Sequence, residues 1–471
     1  MWRILFLSFL PTLLIAQTVA TNPDVLGAER VFDTWMRAQV AYRGLPGVSI
    51  GVVYNQELIW AKGFGLADVE SKVPMTPATK FRMASHSKLF TSTAIMQLRD
   101  QGKVRLDDPV SKYLPWFKVK GAQVDDPPIT IEELLTHSSG LSREAGSHWS
   151  DYKFPDASEV RAYVEQNSAI YSPQVRWKYS NLALTIAGMI VEAVSGETYS
   201  TYVQRHIFDP LGMGNSSVDR QVPGLATGYG RRMPDLSRAR MPFVDAKAMG
   251  AATGITSNVE DMAKFVSLQF RFGPVGGAQI LSTGALREMH RVRMLENDWT
   301  RGNAIGFAVT RDKDKVYIGH GGGYPGYLTH TLIQLDDKVG VIVLTNGGDS
   351  NPSDIAQHLM QIVGAAVAKA AGPSTKQTVA WDPAWSRFAG TYRSGFAEIA
   401  VVELNQQLVS FDPTGANPER QSRLTPLGDG QFRLEAPSGG LTVGELVRFV
   451  VQPNGKLRMY NGGSYSERVE P

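Results

Sequence analysis

The tetrapeptide Ser85-His86-Ser87-Lys88 sets a hydroxyl and an amine three residues apart, the spacing at which two side chains share one face of a helix. A serine oxygen attacks a carbonyl efficiently only when a neighbouring base takes its proton, and a lysine can be that base once it is held neutral. Bringing a lysine from its ordinary 10.4 to about 7 takes about 4 kcal/mol, which burial and a nearby cation can supply. The same spacing recurs at Ser150-Asp151-Tyr152-Lys153, but Phe154-Pro155 follows and Gly146-Ser147-His148-Trp149 precedes, so that copy reads as an exposed loop. A rival signature, Gly47-Val48-Ser49-Ile50-Gly51, matches the G-x-S-x-G nucleophile elbow in letters. An elbow needs strand, sharp turn and helix, whereas this strand continues through Val52-Val53-Tyr54. Ser49 is therefore expected to be a small packing residue in mid-strand.

Two further motifs follow the first. Tyr179 begins the chain's only Y-x-N, Tyr179-Ser180-Asn181, and His320 its only H-x-G, His320-Gly321-Gly322. Taken singly each has a structural explanation: Tyr179 as an anchor at a helix start, Asn181 as a helix cap, His320 as a core histidine and Gly321-Gly322-Gly323 as a turn. Taken in order, with Ser85 near one helix start, Tyr179 at another and His320 just after the strand-like Val316-Tyr317-Ile318, they form one constellation.

That constellation resembles the serine β-lactamase and penicillin-binding-protein superfamily, in its class C β-lactamase-related branch of D-aminopeptidases, D-alanyl-D-alanine carboxypeptidases and family VIII esterases. Gly63-Phe64-Gly65-Leu66-Ala67, Leu134-Leu135-Thr136-His137-Ser138-Ser139-Gly140-Leu141, Phe208-Asp209-Pro210-Leu211-Gly212-Met213 and Gly254-Ile255-Thr256-Ser257 are similar too. The resemblance spans about residues 27–370, and the remainder resembles the lipocalin-like domain that some members carry. It implies an α+β fold of an antiparallel sheet flanked by helices plus an all-helical subdomain, followed by a small β-barrel. It implies Ser85 as acylated nucleophile, Lys88 and Tyr179 as the proton-handling pair, and Asn181 as a polar clamp. The third motif, His320 with Gly321 and Gly322, would line the substrate, and the N–H groups of Ser85 and Gly323 would form the oxyanion hole. β-Lactamases proper mostly carry Lys-Thr-Gly or Lys-Ser-Gly at the third motif. An unperturbed imidazole is only about one-quarter protonated at pH 7, so His320 would attract a substrate carboxylate less than lysine does. The expected chemistry is acyl-enzyme hydrolysis of amides or esters, D-amino-acid peptides or small esters above all. The alternatives are β-lactam hydrolysis and non-catalytic binding of peptidoglycan-like D-peptides.

These motifs need elements to hold them. Apolar spacing predicts a helix over Val31–Tyr42, a hairpin from Pro46 to Trp60 turning at Asn55-Gln56, and a helix from Ser85 to Gln101 stopped by Gly102. Thr130-Ile131-Glu132-Glu133 fits a capping box, and Asn181–Ser195 reads as an apolar helix ending at Gly196. Strands are expected at Ala304–Val309, Val316–Ile318, Leu328–Gln334 and Val339–Leu344, with a helix over Ser353–Ala371. Beyond Trp385 short alternating runs separated by Asp429-Gly430 and Asn454-Gly455 predict about eight strands, closing as an up-and-down barrel or stacking as a sandwich.

The 471 residues are 43% hydrophobic and 20% charged, which places them with globular proteins. Forty-eight basic against forty-five acidic side chains give +3 without a basic block, so no nucleic-acid partner is expected. Zero cysteines remove thiol catalysis, disulfides and Cys-ligated zinc, and no H-E-x-x-H occurs among eight scattered histidines, so no metal or other cofactor is expected. Met213, Met249 and Met262 read as core. Arg3, the apolar run Ile4–Ala16 and Thr18-Val19-Ala20 read as a cleaved export signal, too short to span a bilayer, which predicts a periplasmic or secreted protein with no membrane span after cleavage. The resulting division is 1–20 signal, 21–372 hydrolase, 373–382 linker and 383–471 barrel, with a small molecule or short peptide as the binding partner.

Overall fold

Asn22 accepts a hydrogen bond from Asp24 N, Pro23 occupies the first turn and Gly44 closes the end at φ 59°, so helix α1 runs Pro23–Arg43, well upstream of the apolar spacing that announced it. The computed structural model describes residues 18–146, 148–272, 277–296, 298–312, 314–372, 379, 381–404, 406–414, 421–436 and 442–469. The bulk of the expected export signal and most of the 373–382 linker lie outside them. Two compact units emerge, residues 1–373 and 374–471.

The first unit is built on an antiparallel sheet of nine strands. Its strands are β1 (Gly47–Tyr54), β2 (Glu57–Asp68) and β3 (Val73–Pro74), then β7 (Met294–Leu295), β8 (Arg301–Asn303), β9 (Ala308–Asp312), β10 (Lys315–Tyr324), β11 (Tyr327–Gln334) and β12 (Val339–Thr345). They lie in the order β3-β2-β1-β12-β11-β10-β9-β8-β7. A small sheet of β4 (Phe81–Arg82), β5 (Ser217–Val218) and β6 (Ile255–Ser257) lies apart from it. β1 is an interior strand covered on both faces, so its Val, Ile, Ser and Gly residues are buried. On one face Val48, Ile50 and Val52 meet Phe32 and Met36 of α1 and the C-terminal helix, Pro352–Leu359 and onward through a π-turn to Ala371. On the other lies the helical layer, with α2 (Ser87–Asp100), α3 (Ile131–Leu135), α4 (Asn181–Ser195), α5 (Gly250–Thr253) and α6 (Val259–Gln269) among its members. A methyl on Gly51 would press within 2.5 Å of Val259 Cγ1, which is why the strand carries small residues there.

Several expectations hold and some are corrected. The β1–β2 hairpin, the capping box at Thr130–Glu133 and α4 with its Gly196 stop at φ 75° occur as read. The strand expected at Ala304–Val309 starts only at Ala308. Gly306 takes φ 77° and its N–H bonds Leu135 O, so the stretch before β9 dips into the helical layer. β10 does not stop before the third motif but carries it: His320 to Gly323 pair with Thr331 to Leu328 of β11.

The second unit is a closed barrel of eight strands. These are β13 (Gly390–Arg393), β14 (Glu398–Glu403), β15 (Leu408–Phe411), β16 (Ser422–Gly428), β17 (Gln431–Glu435), β18 (Leu446–Val451), β19 (Leu457–Asn461) and β20 (Ser464–Val469). Each pairs antiparallel with the next, and β13 closes on β20 through Tyr392↔Arg468. The up-and-down alternative is therefore the observed one, and closure leaves no exposed edge. Trp385, Phe388, Tyr392, Phe432 and Met459 fill its core.

Candidate active site

The chain enters the site from β4. Arg82 pairs with Thr256, Met83 N bonds Ile255 O, and Ala84 then adopts φ 52°, a left-handed conformation that costs an alanine roughly 1–2 kcal/mol. Ser85 lies on the 3₁₀ turn Ala84–His86 and regular α2 begins at Ser87, so the serine stands one turn before the helix rather than as its first residue. Ser87 Oγ holds this turn by donating to Ala84 O at 2.7 Å and accepting from Ile255 N at 3.0 Å.

The i, i+3 spacing delivers Lys88 Nζ 3.0 Å from Ser85 Oγ. The ammonium position also faces Asn181 Oδ1 at 2.7 Å and Ala252 O at 2.9 Å, with the side chain buried. Burial, with help from the Arg143 charge and against the pull of Glu144, brings Lys88 down to about 7. Both carbonyl-type partners can only accept. A neutral Lys88 therefore spends its two N–H groups on Asn181 and Ala252 and turns its lone pair to Ser85. Tyr179 OH donates to Ser85 Oγ from another side at 2.7 Å, and burial pushes this phenol up to about 12. Of the two groups on Ser85, Lys88 is therefore the one that can be unprotonated near neutral pH.

Asn181 is not the helix cap. Ser180 caps α4 by accepting from Ala183 N, which frees buried Asn181 to bridge Lys88 and Glu144. Its Nδ2 donates to Glu144 Oε1 at 2.6 Å, and His148 Nε2 meets Glu144 Oε2 at 3.2 Å. Burial opposes ionisation of Glu144, yet the His148 and Asn181 hydrogen bonds outweigh it and hold the carboxyl below its usual range. His137 packs its ring 4.5 Å from that of Tyr179 and accepts from Ser180 N through Nδ1, while burial and then the Lys88 charge keep it neutral.

On the opposite wall, β10 is paired on both sides only up to Gly319; from His320 onward it has β11 on one side alone. Gly322 abuts the turn that carries Ser85, since a methyl there would press into Met83 O, Thr329 Oγ1 and Ala84 Cβ. His320 is buried, and burial followed by the Lys88 charge pushes it down to about 3, so it is neutral at pH 7 rather than one-quarter charged. Its Nδ1 bonds Gly321 O. His86 lies behind it, ring centroids 6.1 Å apart, with its own nitrogens on Thr329 and Thr331.

The first and second motifs therefore meet at Ser85, and the third lies against the same turn. Ser49 sits in mid-strand with Oγ on Thr76 O, and Ser150 is exposed. Sequence reasoning missed Glu144, Arg143, His148 and the Ala252 carbonyl, and counted the histidines as scattered although His86, His137, His148 and His320 gather around this site. Only the Thr136-His137-Ser138 stretch gave a local signal.

The beta-lactamase family model matches residues 32–365. This chain belongs to that family. The protein Flp of Staphylococcus aureus is 25% identical over 338 residues, 70% of this chain and 66% of that protein, so just under two thirds of the relative's length is matched. A Bacillus subtilis penicillin-binding protein is 24% identical over 407 residues, 81% of this chain and 86% of the relative. Among solved structures, an octameric penicillin-binding-protein homologue from Pyrococcus abyssi aligns with TM-score 0.63 at 23% identity, covering 93% of this chain and 99% of that one. A D-stereospecific amidohydrolase from Streptomyces aligns with TM-score 0.59 at 22% identity over 72% and 98% of the two chains. At such identities the structural likeness establishes the fold alone.

Proposed function

We propose that this beta-lactamase family member is a serine hydrolase that forms an acyl-enzyme on Ser85 and cleaves amides or esters, with D-amino-acid peptides and small esters as the leading substrate class. The observation that carries the reading is the convergence of Lys88 Nζ at 3.0 Å and Tyr179 OH at 2.7 Å on Ser85 Oγ. In this reading Ser85 Oγ bonds to the carbonyl carbon as its proton passes to neutral Lys88. The oxyanion would be received by the N–H groups of Ser85 and Gly323, the latter on the singly paired stretch of β10. Lys88 returns the proton through Tyr179 to the departing amine or alcohol, and water then releases the acid. Neutral His320 supports the peptidase and esterase side of the family, because it offers a substrate carboxylate no charge where β-lactamases place a lysine. Export through the N-terminal segment is part of the same proposal.

The test is labelling with a fluorophosphonate followed by peptide mapping, with turnover of 4-nitrophenyl butyrate, D-alanyl-4-nitroanilide and nitrocefin. The expected result is an adduct on Ser85, lost in Ser85→Ala, with ester or D-amide turnover exceeding that of nitrocefin. An unlabelled folded protein, or efficient penicillin hydrolysis beside weak ester and D-peptide activity, overturns it.

A further inference from the structure

With His320 uncharged, Arg143 is a solvent-facing cation beside the site. Arg143 leaves 64% of its side chain exposed while its guanidinium carbon stands 5.8 Å from the centre of the Tyr179 ring, the same ring whose hydroxyl reaches Ser85. Its backbone is fixed: Arg143 O accepts from both Asn181 N and Leu182 N at the start of α4, so the side chain leaves from an anchored point. Among the described residues its hydrogen bond runs from Nε, at 3.1 Å from Glu144 Oε1. Among the described residues neither terminal nitrogen of Arg143 has a hydrogen-bond acceptor, so the two-nitrogen edge of the fork is free. Glu144 meets the guanidinium through Nε and not through that edge, and its two oxygens are also bonded to Asn181 and His148. A planar fork with a free edge matches a carboxylate in bidentate fashion, which a point-charge lysine would not.

We propose that Arg143 is the specificity-determining residue of this site and receives a carboxylate on the substrate, one or two residue lengths (~3.5 Å each) from the scissile carbonyl. The favoured substrates are then acidic: amides or esters bearing a free carboxylate near the cleaved bond. The family's strand lysine is replaced, in this chain, by a cation on the opposite wall beside Tyr179. This inference rests on the hydrolase reading above.

The experiment compares mono-4-nitrophenyl glutarate with its methyl ester, which has the same chain without the charge, using the full-length protein at pH 8.5, and reads the ratio of the two kcat/KM values, in which an effect on Lys88 shared by both esters cancels. The wild type is expected to favour the charged ester in kcat/KM, with an advantage that shrinks on going from 0.02 to 0.5 M NaCl. Arg143→Gln is expected to lower the ratio of kcat/KM on the charged ester to that on the methyl ester about tenfold, mostly through KM on the charged ester, whatever change in Lys88 the two esters share. Arg143→Lys should recover part of the loss. Equal losses on both esters would make Arg143 a positioning residue, and a wild type that prefers the neutral ester, or an unchanged Arg143→Gln, would equally overturn the proposal. A protein that turns over neither ester and takes no fluorophosphonate at Ser85 fails at the hydrolase reading itself, whereas normal Ser85 labelling without charge preference fails only here.

Discussion

Glu144 Oε1 accepts from Asn181 Nδ2 at 2.6 Å, and because a carboxylate can only accept, this bond fixes which end of the Asn181 amide faces Lys88. Oδ1 is thereby presented to Nζ at 2.7 Å. The carboxylate acts on Lys88 twice, by orienting its hydrogen-bond partner and by raising its affinity for a proton. Glu144→Gln removes both effects, since a glutamine can meet Asn181 with either atom and carries no charge. The expected outcome is a fall of about tenfold or more in kcat/KM and an acid limb of the pH profile displaced to lower pH. A stopped assay series from pH 5 to 10 reads both; a limb that stays in place would show that Glu144 only supports the loop.

The wild-type profile itself follows from Lys88. A base must be unprotonated, so kcat/KM should rise with half-maximum near pH 7 and level off above about pH 8.5. Tyr179, pushed up to about 12, contributes no falling limb in the measurable range. Stability moves in the same direction: the unfolded lysine, near 10.4, binds more protons than the folded one between about pH 7 and 10, so the penalty of burying Lys88 is relieved as pH rises through that window. Lys88→Met should flatten this part of the denaturation-versus-pH curve, and an unchanged slope would show that Lys88 is not depressed in the native state.

The elements that sequence reveals best are those whose reason is local. Asn181–Ser195 announces itself because an apolar run meets a glycine at the turn where the chain must go left-handed, and Thr130–Glu133 because both halves of the capping box lie within four residues. Ser49 is legible as a packing residue because the apolar strand runs on past it through Val52-Val53-Tyr54. What stayed hidden was assembled by the fold. Glu144 and Arg143 reach the site from a loop with no periodicity, Ala84 takes a left-handed conformation that its side chain does not advertise, and Gly321–Gly323 look like a turn until β11 pairs with them. The His320 charge was misjudged for the same reason: its neutrality comes from burial beside Lys88, which no neighbouring residue predicts.

Gly322 should tolerate no side chain. Its Cβ would enter the space of Met83 O and Thr329 Oγ1, so Gly322→Ala must push β10 away from the turn that carries Ser85. We expect a stability loss of about 1–3 kcal/mol and a fluorophosphonate labelling rate reduced at least tenfold. Gly323→Ala is the control, because a methyl there meets only Leu328 Cδ2 at 3.5 Å, an ordinary contact. If the two variants label equally fast, the close approach at Gly322 has no bearing on the nucleophile.

Arg82 ends the strand that leads to Ser85 and is fully buried, its guanidinium 4.9 Å from each of the Phe243 and Tyr324 rings and 2.8 Å from Asp219 Oδ1. Asp219 itself sits at φ 43°, close against Gly250 and Gly254, where a methyl would strike its carboxylate. This pair therefore joins β4, the end of β10 and the segment that presents Ala252 O to Lys88. Asp219→Asn keeps the left-handed backbone, which asparagine accepts, and removes only the charge. The guanidinium is then buried without its counter-ion, at an expected cost of about 3–5 kcal/mol in urea denaturation. Adding Arg82→Met removes the orphaned charge as well, and the double variant should recover more than half of that loss. Restored stability without restored Ser85 labelling would show that the ion pair serves to hold the nucleophile turn rather than to stabilise the fold; additive losses in the double variant would show that the two residues act independently.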